Sequence, residues 1–531
     1  MQAVDCIAAE LKRRNFRLWT FPGGTVYPLY HACHQAGVEI IVCRSEAGAG
    51  YAAIGAAKAT GQSQVVAVTS GPGATNVVTA IADAYYDSVP VVFLTGQVGT
   101  KDLGYEVRQR GFQQTPIVEM TRPITKSSTY GQSPTDLVYQ FYRALSIAIS
   151  GRRGPCLVDM PMDSQRGEAN YEYPFGVSNV SSVNLQPLPE QFHLLESLLA
   201  ESSRPVFLVG MGCSLAYSQL RQLVEKLGIP TVSSLPAVGL LPTTSPHNFG
   251  YIGHTGHPGA NWIVQHSDLV LCLGARLDVR QTGTEVKEFA PEAKIVRVDI
   301  DKSELENSRV RCDLSINARC KEVIEWLLKN LGEDWRDDWF EECVEEKYTT
   351  SVKYGNIQDG ETAKIIREIS ANAPEDCIFV TGVGSHQQHA ARHLSLDTPW
   401  RVLLTSAGHG CMGSGLPMAV GAAIATGRKV VLIDGDGSFQ MSMNELATVS
   451  KYNLDIDIHI IDNGSGGIVS QFARLSGMEP IETTWHNPYF YHFADVYSID
   501  DAKFHVHKTV EEGVWPILES GRQMDNMTVG E

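Results

Sequence analysis

Residues Lys429–Gly464 read KVVLIDGDGSFQMSMNELATVSKYNLDIDIHIIDNG. An apolar strand, Lys429–Ile433, runs through Asp434 into Gly435-Asp436-Gly437-Ser438. A helical stretch follows near Met443–Val449, and a second apolar strand, Asp457–Ile461, ends in Asp462-Asn463-Gly464. Strand, helix and strand at this spacing predict a right-handed βαβ crossover with parallel strands. Asp436 and Asn463, 27 residues apart, therefore reach the same carboxyl edge of one sheet. A carboxylate, an amide oxygen and the backbone carbonyl of Ser465 make an oxygen-only site suited to Mg²⁺ or Ca²⁺, with water and phosphate oxygens in the remaining positions. The Gly435-Asp436-Gly437 turn also offers backbone N–H groups ahead of a helix, which favours a diphosphate. The plainer alternative is a strand-to-helix turn in which Asp436 is only a cap. The Asn-Gly pair closing the next strand favours the cation.

The same alternation extends outward. Around the quoted stretch, Cys377–Thr381 and Val402–Thr405 read as further strands. From Val38 to about Val158, the strands Val38–Cys43, Gln64–Val68 and Val89–Leu94 alternate with helices at Ala47–Thr60 and Ala74–Tyr86. From Arg204 to Leu328, the strands are Pro205–Val209, Asp268–Leu273 and Lys294–Val298. The fold class expected is α/β, with three domains each built on a mostly parallel sheet flanked by helices. Their bounds are expected at 1–170, 190–345 and 360–531, joined by the polar stretches Gln165–Gln191 and Tyr348–Gly360. The tail beyond Glu511 is weakly patterned, a short helix or a loose end. A chain of 531 residues also gives three domains at roughly 150 residues each.

Composition excludes several classes of partner. With 43 Lys plus Arg against 60 Asp plus Glu, the net charge of −17 repels nucleic acid and anionic membranes. No apolar run approaches the roughly 18 residues of a membrane span. Met1–Asn15 follows a helical pattern with Asp5, Glu10 and Lys12 where an export signal would carry an apolar run, so a cytoplasmic location is expected. The 11 cysteines contain no CxxC pair, and Cys43, Cys156 and Cys272 sit in apolar segments, which reads as reduced, buried thiols.

Glu46 stands between the strand Val38–Cys43 and a helix opening Ala47, Gly48, Ala49, Gly50. It is either a helix-start carboxylate stabilised by the dipole or a buried acid placed for proton relay to a heteroaromatic cofactor. The small residues after it allow close approach by another helix or by a flat ligand. Thr69-Ser70-Gly71-Pro72-Gly73-Ala74-Thr75-Asn76 is a second glycine-rich turn after a strand. It lacks the acidic residue that a nicotinamide site needs about 20 residues on. Gly210-Met211-Gly212 is a weaker signal of the same kind.

An ordered series of motifs then carries a resemblance. It comprises FPGG (Phe21–Gly24), RSEAGAGYAA with Glu46, TSGPGATN, DSVPVVFLTGQV, GFQQTPIVEMTRPITK with Phe112 and Gln113, GARLDVRQTG, GHGCMGSGLP with Met412, and GDGSF followed by DNG. From about residue 4 to residue 475 the chain resembles the thiamine-diphosphate-dependent enzymes, most closely the catalytic subunits of acetohydroxyacid (acetolactate) synthases. The resemblance implies a first domain for the pyrimidine end of the cofactor, a central domain, and a third domain for the diphosphate. It implies that the cofactor lies between subunits of a homodimer or homotetramer. Thiamine diphosphate and Mg²⁺ are the implied cofactors, with Asp436, Asn463 and Ser465 on the metal. Ser385, His386, Gly410, Met412, Gly435, Gly437, Ser438, Gly467 and Ile468 are the implied cofactor contacts. Glu46 would bond the pyrimidine nitrogen and Met412 would hold the cofactor bent. Gln113, Phe112, Gly23 and Gly24 would line the substrate side. The implied reaction decarboxylates pyruvate or a related 2-oxo acid and transfers the two-carbon unit to an acceptor carbonyl.

The pattern departs from the family at the substrate pocket. Phe472 in IVSQF stands where the synthases carry Trp, and Met162 in MPMD where they carry Lys. Val107–Arg110, an insertion before GFQQ, adds Arg108 and Arg110. A keto sugar or another carbonyl acceptor is therefore an alternative, as is simple decarboxylation without ligation. Arg152, Gly210, Gly212, Ser234, Arg276 and Asp299 match the positions that bind FAD in those synthases. A catalytically retired scaffold is disfavoured by the intact Glu46, Asp436 and Asn463. A nicotinamide dehydrogenase rests only on the glycine turns.

Overall fold

The computed structural model describes residues 1–170, 187–332, 337–353 and 360–509. The tail beyond Glu511 and parts of both expected linkers, 171–186 and 354–359, lie outside these residues. Three sheets follow one another along the chain. The first comprises β1 (Leu18–Thr20), β2 (Ile40–Val42), β3 (Gln64–Val68), β4 (Val91–Gln97), β5 (Ser127–Tyr130) and β6 (Cys156–Pro161), in the order β2-β1-β3-β4-β6-β5. The second comprises β7 (Pro205–Val209), β8 (Thr231–Ser233), β9 (Asn248–Tyr251), β10 (Leu269–Leu273), β11 (Lys294–Asp299) and β12 (Leu314–Asn317), ordered β12-β11-β10-β7-β8-β9. The third comprises β13 (Ile378–Thr381), β14 (Val402–Leu404), β15 (Val430–Gly435), β16 (Ile456–Asp462) and β17 (Phe504–Lys508), ordered β14-β13-β15-β16-β17.

Every ladder within these sheets is parallel. The α/β, three-sheet expectation therefore holds. Parallel strands are covered by helices on both faces, which is why β3, β7, β10 and β13 are buried at every residue and read as unbroken apolar runs.

Strand order places the sites. In each sheet the chain first steps one way and then returns to the other side of an early strand. This leaves a crevice at the carboxyl ends of β1 and β3, of β7 and β10, and of β13 and β15. The turns bordering those crevices are FPGG and TSGPGATN in the first sheet, GMG and GARLD in the second, and GVGS and GDGS in the third.

The first and third sheets share one apolar core, in which Trp19, Ile54 and Phe93 are continuous with Leu416, Leu432 and Phe439. Helix Glu46–Thr60 packs on helix Gly415–Thr426 at that boundary. A β-carbon on Gly421 would collide with the carbonyl of Ala52, and one on Gly55 with the carbonyl of Met418. The small residues after Glu46 thus serve a close helix contact. The central domain keeps its own cores and touches the others through polar contacts and through Val238, which packs on the third domain's Leu396 cluster. Arg152 lies 3.6 Å from Asp301, Thr243 bonds Asp397 at 2.7 Å, and Arg280 bonds the carbonyl of Ala407 at 3.1 Å.

Three local expectations need correction. The second linker was expected from Tyr348, but helix Asp337–Lys353 runs on into it as far as Lys353. The expected helix Ala74–Tyr86 breaks at Val77 into Pro72–Asn76 and Val78–Tyr86. At the other linker, Gln165 is buried in helix Met162–Arg166 and Gln191 lies in helix Pro189–Glu201. All 11 cysteines are unpaired and 10 of them are buried. Among the described residues no helix is long and apolar enough to cross a membrane.

Candidate active site

The edge of the third sheet joins Asp436 to the loop of Asn463. Asp436 follows β15 and is 2% exposed. Its Oδ1 accepts the Gly437 N–H at 2.8 Å, and its Oδ2 accepts the Gly464 N–H at 2.9 Å. Trp485 Nε1 and Asn487 Nδ2 also donate to Oδ2, at 3.1 and 2.5 Å. Burial pushes the Asp436 carboxyl above its ordinary value, against the pull of these donors. Asn463 Oδ1 accepts from the Ser465 N–H at 3.1 Å. A β-carbon on Gly467 would lie 3.3 Å from Asn463 Nδ2 and 3.5 Å from Ser385 Oγ, so these three residues adjoin. Among the described residues no three His, Cys, Asp or Glu side chains converge on a metal position. A cation at Asp436 would accordingly depend on the Asn463 amide and backbone oxygen.

Several of the remaining cofactor candidates adjoin the same turn. Gly410 and Gly413 hold φ of +74° and +78°, conformations that favour glycine. The Gly413 N–H reaches Ser438 Oγ at 3.0 Å. Met412 Cε lies 3.5 Å from where a β-carbon on Gly437 would stand. Met412 is 42% exposed and Phe112 86%, so neither is a core side chain. Ile468 is half-buried on the helix Gly467–Leu475. His386 is neither a surface residue nor free. It is 3% exposed, its Nε2 lies 3.4 Å from Asp434 Oδ1, and its ring packs on Gly435.

At the edge of the first sheet, Ser45 caps the helix that opens with Glu46 by accepting the Gly48 N–H at 2.9 Å. Glu46 is 9% exposed and its Oε2 accepts from Asn76 Nδ2 at 3.1 Å. Its Oε1 lies 3.3 Å from the β-carbon position of Gly73. The Gly71 turn, at φ +61°, packs on Gln113, whose own φ is +64°. A positive φ at a non-glycine residue holds that side chain in a costly conformation. Gly23 lies against Thr69, which bonds Thr25 at 2.9 Å, while the space beside Gly24 is open. Glu46, Gly23, Gly24 and Gln113 therefore form one patch. Met162 is half-buried and Phe472 is 60% exposed. Arg108 is exposed, whereas Arg110 lies 3.8 Å over Tyr105 and 3.4 Å from Asp102.

Glu445 was not singled out from sequence. It is fully buried, and its Oε1 accepts from the Arg44 N–H at 2.9 Å and from Ser45 Oγ at 3.5 Å. Thr448 Oγ1 donates to its Oε2 at 2.6 Å. A carboxylate of the third domain thus braces the turn that presents Glu46. Asp434 was also missed as a site residue; Gly382 and Gly415 leave the room its carboxylate occupies.

The central crevice gathers Gly210, Gly212, Ser234, Arg276 and Asp299. Gly210 and Gly212 are crossed by the backbone of Gly274, which lies 2.8 Å from a β-carbon placed on Gly212. Asp299 accepts the Asp301 N–H at 2.8 Å, and burial pushes its carboxyl up to about 6. Arg276 pairs with Asp278 at 2.5 Å. Arg152 lies 5.0 Å over Tyr85 and bonds its carbonyl at 2.6 Å.

Residues 1–120, 194–327 and 382–525 match the family models of the thiamine pyrophosphate enzyme N-terminal TPP binding domain, central domain and C-terminal TPP binding domain. The chain is 34% identical to the acetolactate synthase isozyme 2 large subunit of Escherichia coli (strain K12), over 96% of this chain and 95% of that one. It is 38% identical to an acetolactate synthase of Mycobacterium bovis, over 86% and 75%. It is 37% identical to chloroplastic acetolactate synthase 1 of Zea mays, over 89% and 75%.

Proposed function

The chain belongs to the thiamine pyrophosphate enzymes, and from that membership we propose how an acetolactate-synthase-like carboligase works on these residues. It decarboxylates a 2-oxo acid, pyruvate in the first instance, and transfers the two-carbon unit to an acceptor carbonyl. Bound thiamine diphosphate supplies the nucleophilic carbon and the electron sink that both steps need.

The donor set at the third sheet fits a magnesium diphosphate. Asp436 and Asn463 are hard oxygen ligands, and a divalent charge would offset the burial of Asp436. The backbone of Ser465 would supply a further oxygen. At the Gly435–Ser438 turn, where Asp434 and Asp436 take the Gly435 and Gly437 N–H groups, the N–H groups of Asp436 and Ser438 would face the phosphates. Ser385, His386, Gly410, Met412, Gly467 and Ile468 form the surrounding wall. At the first sheet Asn76 fixes Glu46 Oε2, which leaves Oε1 to hold and release a proton toward the pyrimidine ring. Gln113, Phe112, Gly23 and Gly24 orient the 2-oxo acid beside it, with Met162 and Phe472 shaping the acceptor side. FAD in the central crevice is part of the reading. Asp299 ends β11 in the place of an acid that takes ribose hydroxyls, with Arg152, Ser234 and Arg276 nearby. Gly210 and Gly212 add nothing to it, since Gly274 already requires them, and no chemical step falls to a flavin. The assembly is a homo-oligomer with each centre between subunits, in the cytoplasm.

The observation that carries this reading is the bond from the Gly464 N–H to Asp436, which joins the turn after β15 to the loop after β16. Incubation of the purified protein with thiamine diphosphate, Mg²⁺ and pyruvate alone, followed by mass spectrometry, is expected to give acetolactate. Free acetaldehyde without acetolactate would make it a decarboxylase and overturn the carboligase reading.

A further inference from the structure

The carboxylate of Asp436 is held unequally at its two oxygens. A carboxylate oxygen offers about two lone-pair sites. Oδ2 receives three donors, from Gly464, Trp485 and Asn487, and Oδ1 receives only the Gly437 N–H. We propose that Trp485 and Asn487 are positioning residues that saturate Oδ2, so that Asp436 meets the cation through Oδ1 alone. The proposal rests on the reading of Asp436 and Asn463 as the metal site.

Both residues come from a short strap laid over the metal loop. Ser465 and Thr484 form an antiparallel bridge. The Gly466 N–H bonds the Thr483 carbonyl at 2.7 Å, and the Trp485 N–H bonds the Gly464 carbonyl at 2.9 Å. The strap is thereby registered on the same loop that carries Asn463. The indole of Trp485 covers two glycines: a β-carbon on Gly437 would lie 2.8 Å from its ring, and one on Gly466 3.5 Å. Any side chain at Gly437 would push the indole N–H away from Asp436.

Asn487 is fixed on every polar atom. Its Nδ2 donates to Asp436 Oδ2 at 2.5 Å and to Asp462 Oδ1 at 2.7 Å, and its Oδ1 accepts from Gln440 Nε2 at 2.9 Å. Lys508 closes the network on the other oxygen of Asp462. An amide is the side chain that suits this place, since it must face two carboxylates with N–H groups and Gln440 with an oxygen. Hydrogen-bond partners of a ligating carboxylate orient it, and losing one typically weakens metal binding by about 10- to 100-fold.

The test is Mn²⁺ binding to the full-length protein with thiamine diphosphate present, read by the electron paramagnetic resonance of free Mn²⁺. The metal-free unfolding midpoint serves as a folding check. Wild type is expected to bind and Asp436→Asn to lose binding. Trp485→Phe, which keeps a ring but removes one N–H, and Asn487→Leu are each expected to bind about 10-fold or more weakly with an unchanged midpoint. If wild type does not bind, or Asp436→Asn binds equally, the metal-site reading itself fails. If Asp436→Asn fails while both strap variants match wild type within about twofold, well below the 10-fold effect expected, the positioning role is overturned. Should Asn487→Leu not fold, Trp485→Phe decides alone.

Discussion

Glu46 is held by Asn76 and by the turn that Glu445 braces, and only part of this leaves a trace in the sequence. The strand before it and the glycine-alanine run after it mark a strand-to-helix junction, so its place at a sheet edge was legible. Asn76, its hydrogen-bond partner, was visible only as part of a glycine-rich turn. Glu445 braces the turn from about 400 positions away and reads as an ordinary helical acid until the fold brings it there. The same contrast holds across the third sheet. Asp436 and Asn463 were legible because regular crossovers bring strand ends to one edge. Trp485 and Asn487 were not, because the segment that carries them has no helical or strand period. His386 was legible only through the resemblance, as an implied cofactor contact, and its pairing with buried Asp434 depends on Gly382 and Gly415 making room. At this scale, Glu46→Gln is expected to fold and to bind thiamine diphosphate. It should slow hydrogen–deuterium exchange at the thiazolium C2 by about 10²- to 10⁴-fold, the usual size of a general acid–base contribution. Exchange at the wild-type rate in acid-quenched NMR samples would remove Glu46 from that role.

Burial made a strand legible only where its apolar run was long and unbroken by charge; β6, buried throughout but carrying Asp159, was not read. β3 and β7 fall on the residues read from their apolar runs, because a strand covered on both faces carries its signal at every position. β1 and β8 have three residues each, too few for any period. β5 lies at a sheet edge, half-exposed and polar, and was missed for that reason. Helix Asp337–Lys353 was partly mistaken for a linker because its sequence, DDWFEECVEEKYTTSVK, is mostly charged and polar. Its anchoring residues, Trp339, Cys343 and Thr350, form a narrow stripe. The contact of helix Glu46–Thr60 with helix Gly415–Thr426 is set by glycines, and this gives a stability test. Gly421→Val drives a side chain into the Ala52 carbonyl and is expected to cost about 3 kcal/mol or more. Gly332→Val, where no atom of the described residues lies within 4 Å of the β-carbon position, should stay within about 0.5 kcal/mol of wild type in denaturant unfolding. Equal effects of the two would show that the helix contact is loose.

Over the whole molecule, an acidic chain of net charge −17 can hold a diphosphate only by local means. On the proposed reading, those means are backbone N–H groups at the glycine turns and a divalent ion at Asp436 and Asn463; strand order places the turns at three crevices. In the proposed homo-oligomer, assembly joins the half-sites, Glu46 on the first sheet and Asp436 on the third. The most direct measurement of that joining is complementation. Glu46→Gln and Asp436→Asn chains carrying different tags are co-expressed, and the hybrid is isolated through both tags and assayed for acetolactate from pyruvate. If each centre takes Glu46 from one subunit and Asp436 from the other, one centre of a hybrid dimer is intact. The hybrid should then show about half the wild-type rate, while each variant alone is nearly inactive. A hybrid no more active than either variant alone would contradict the shared centre.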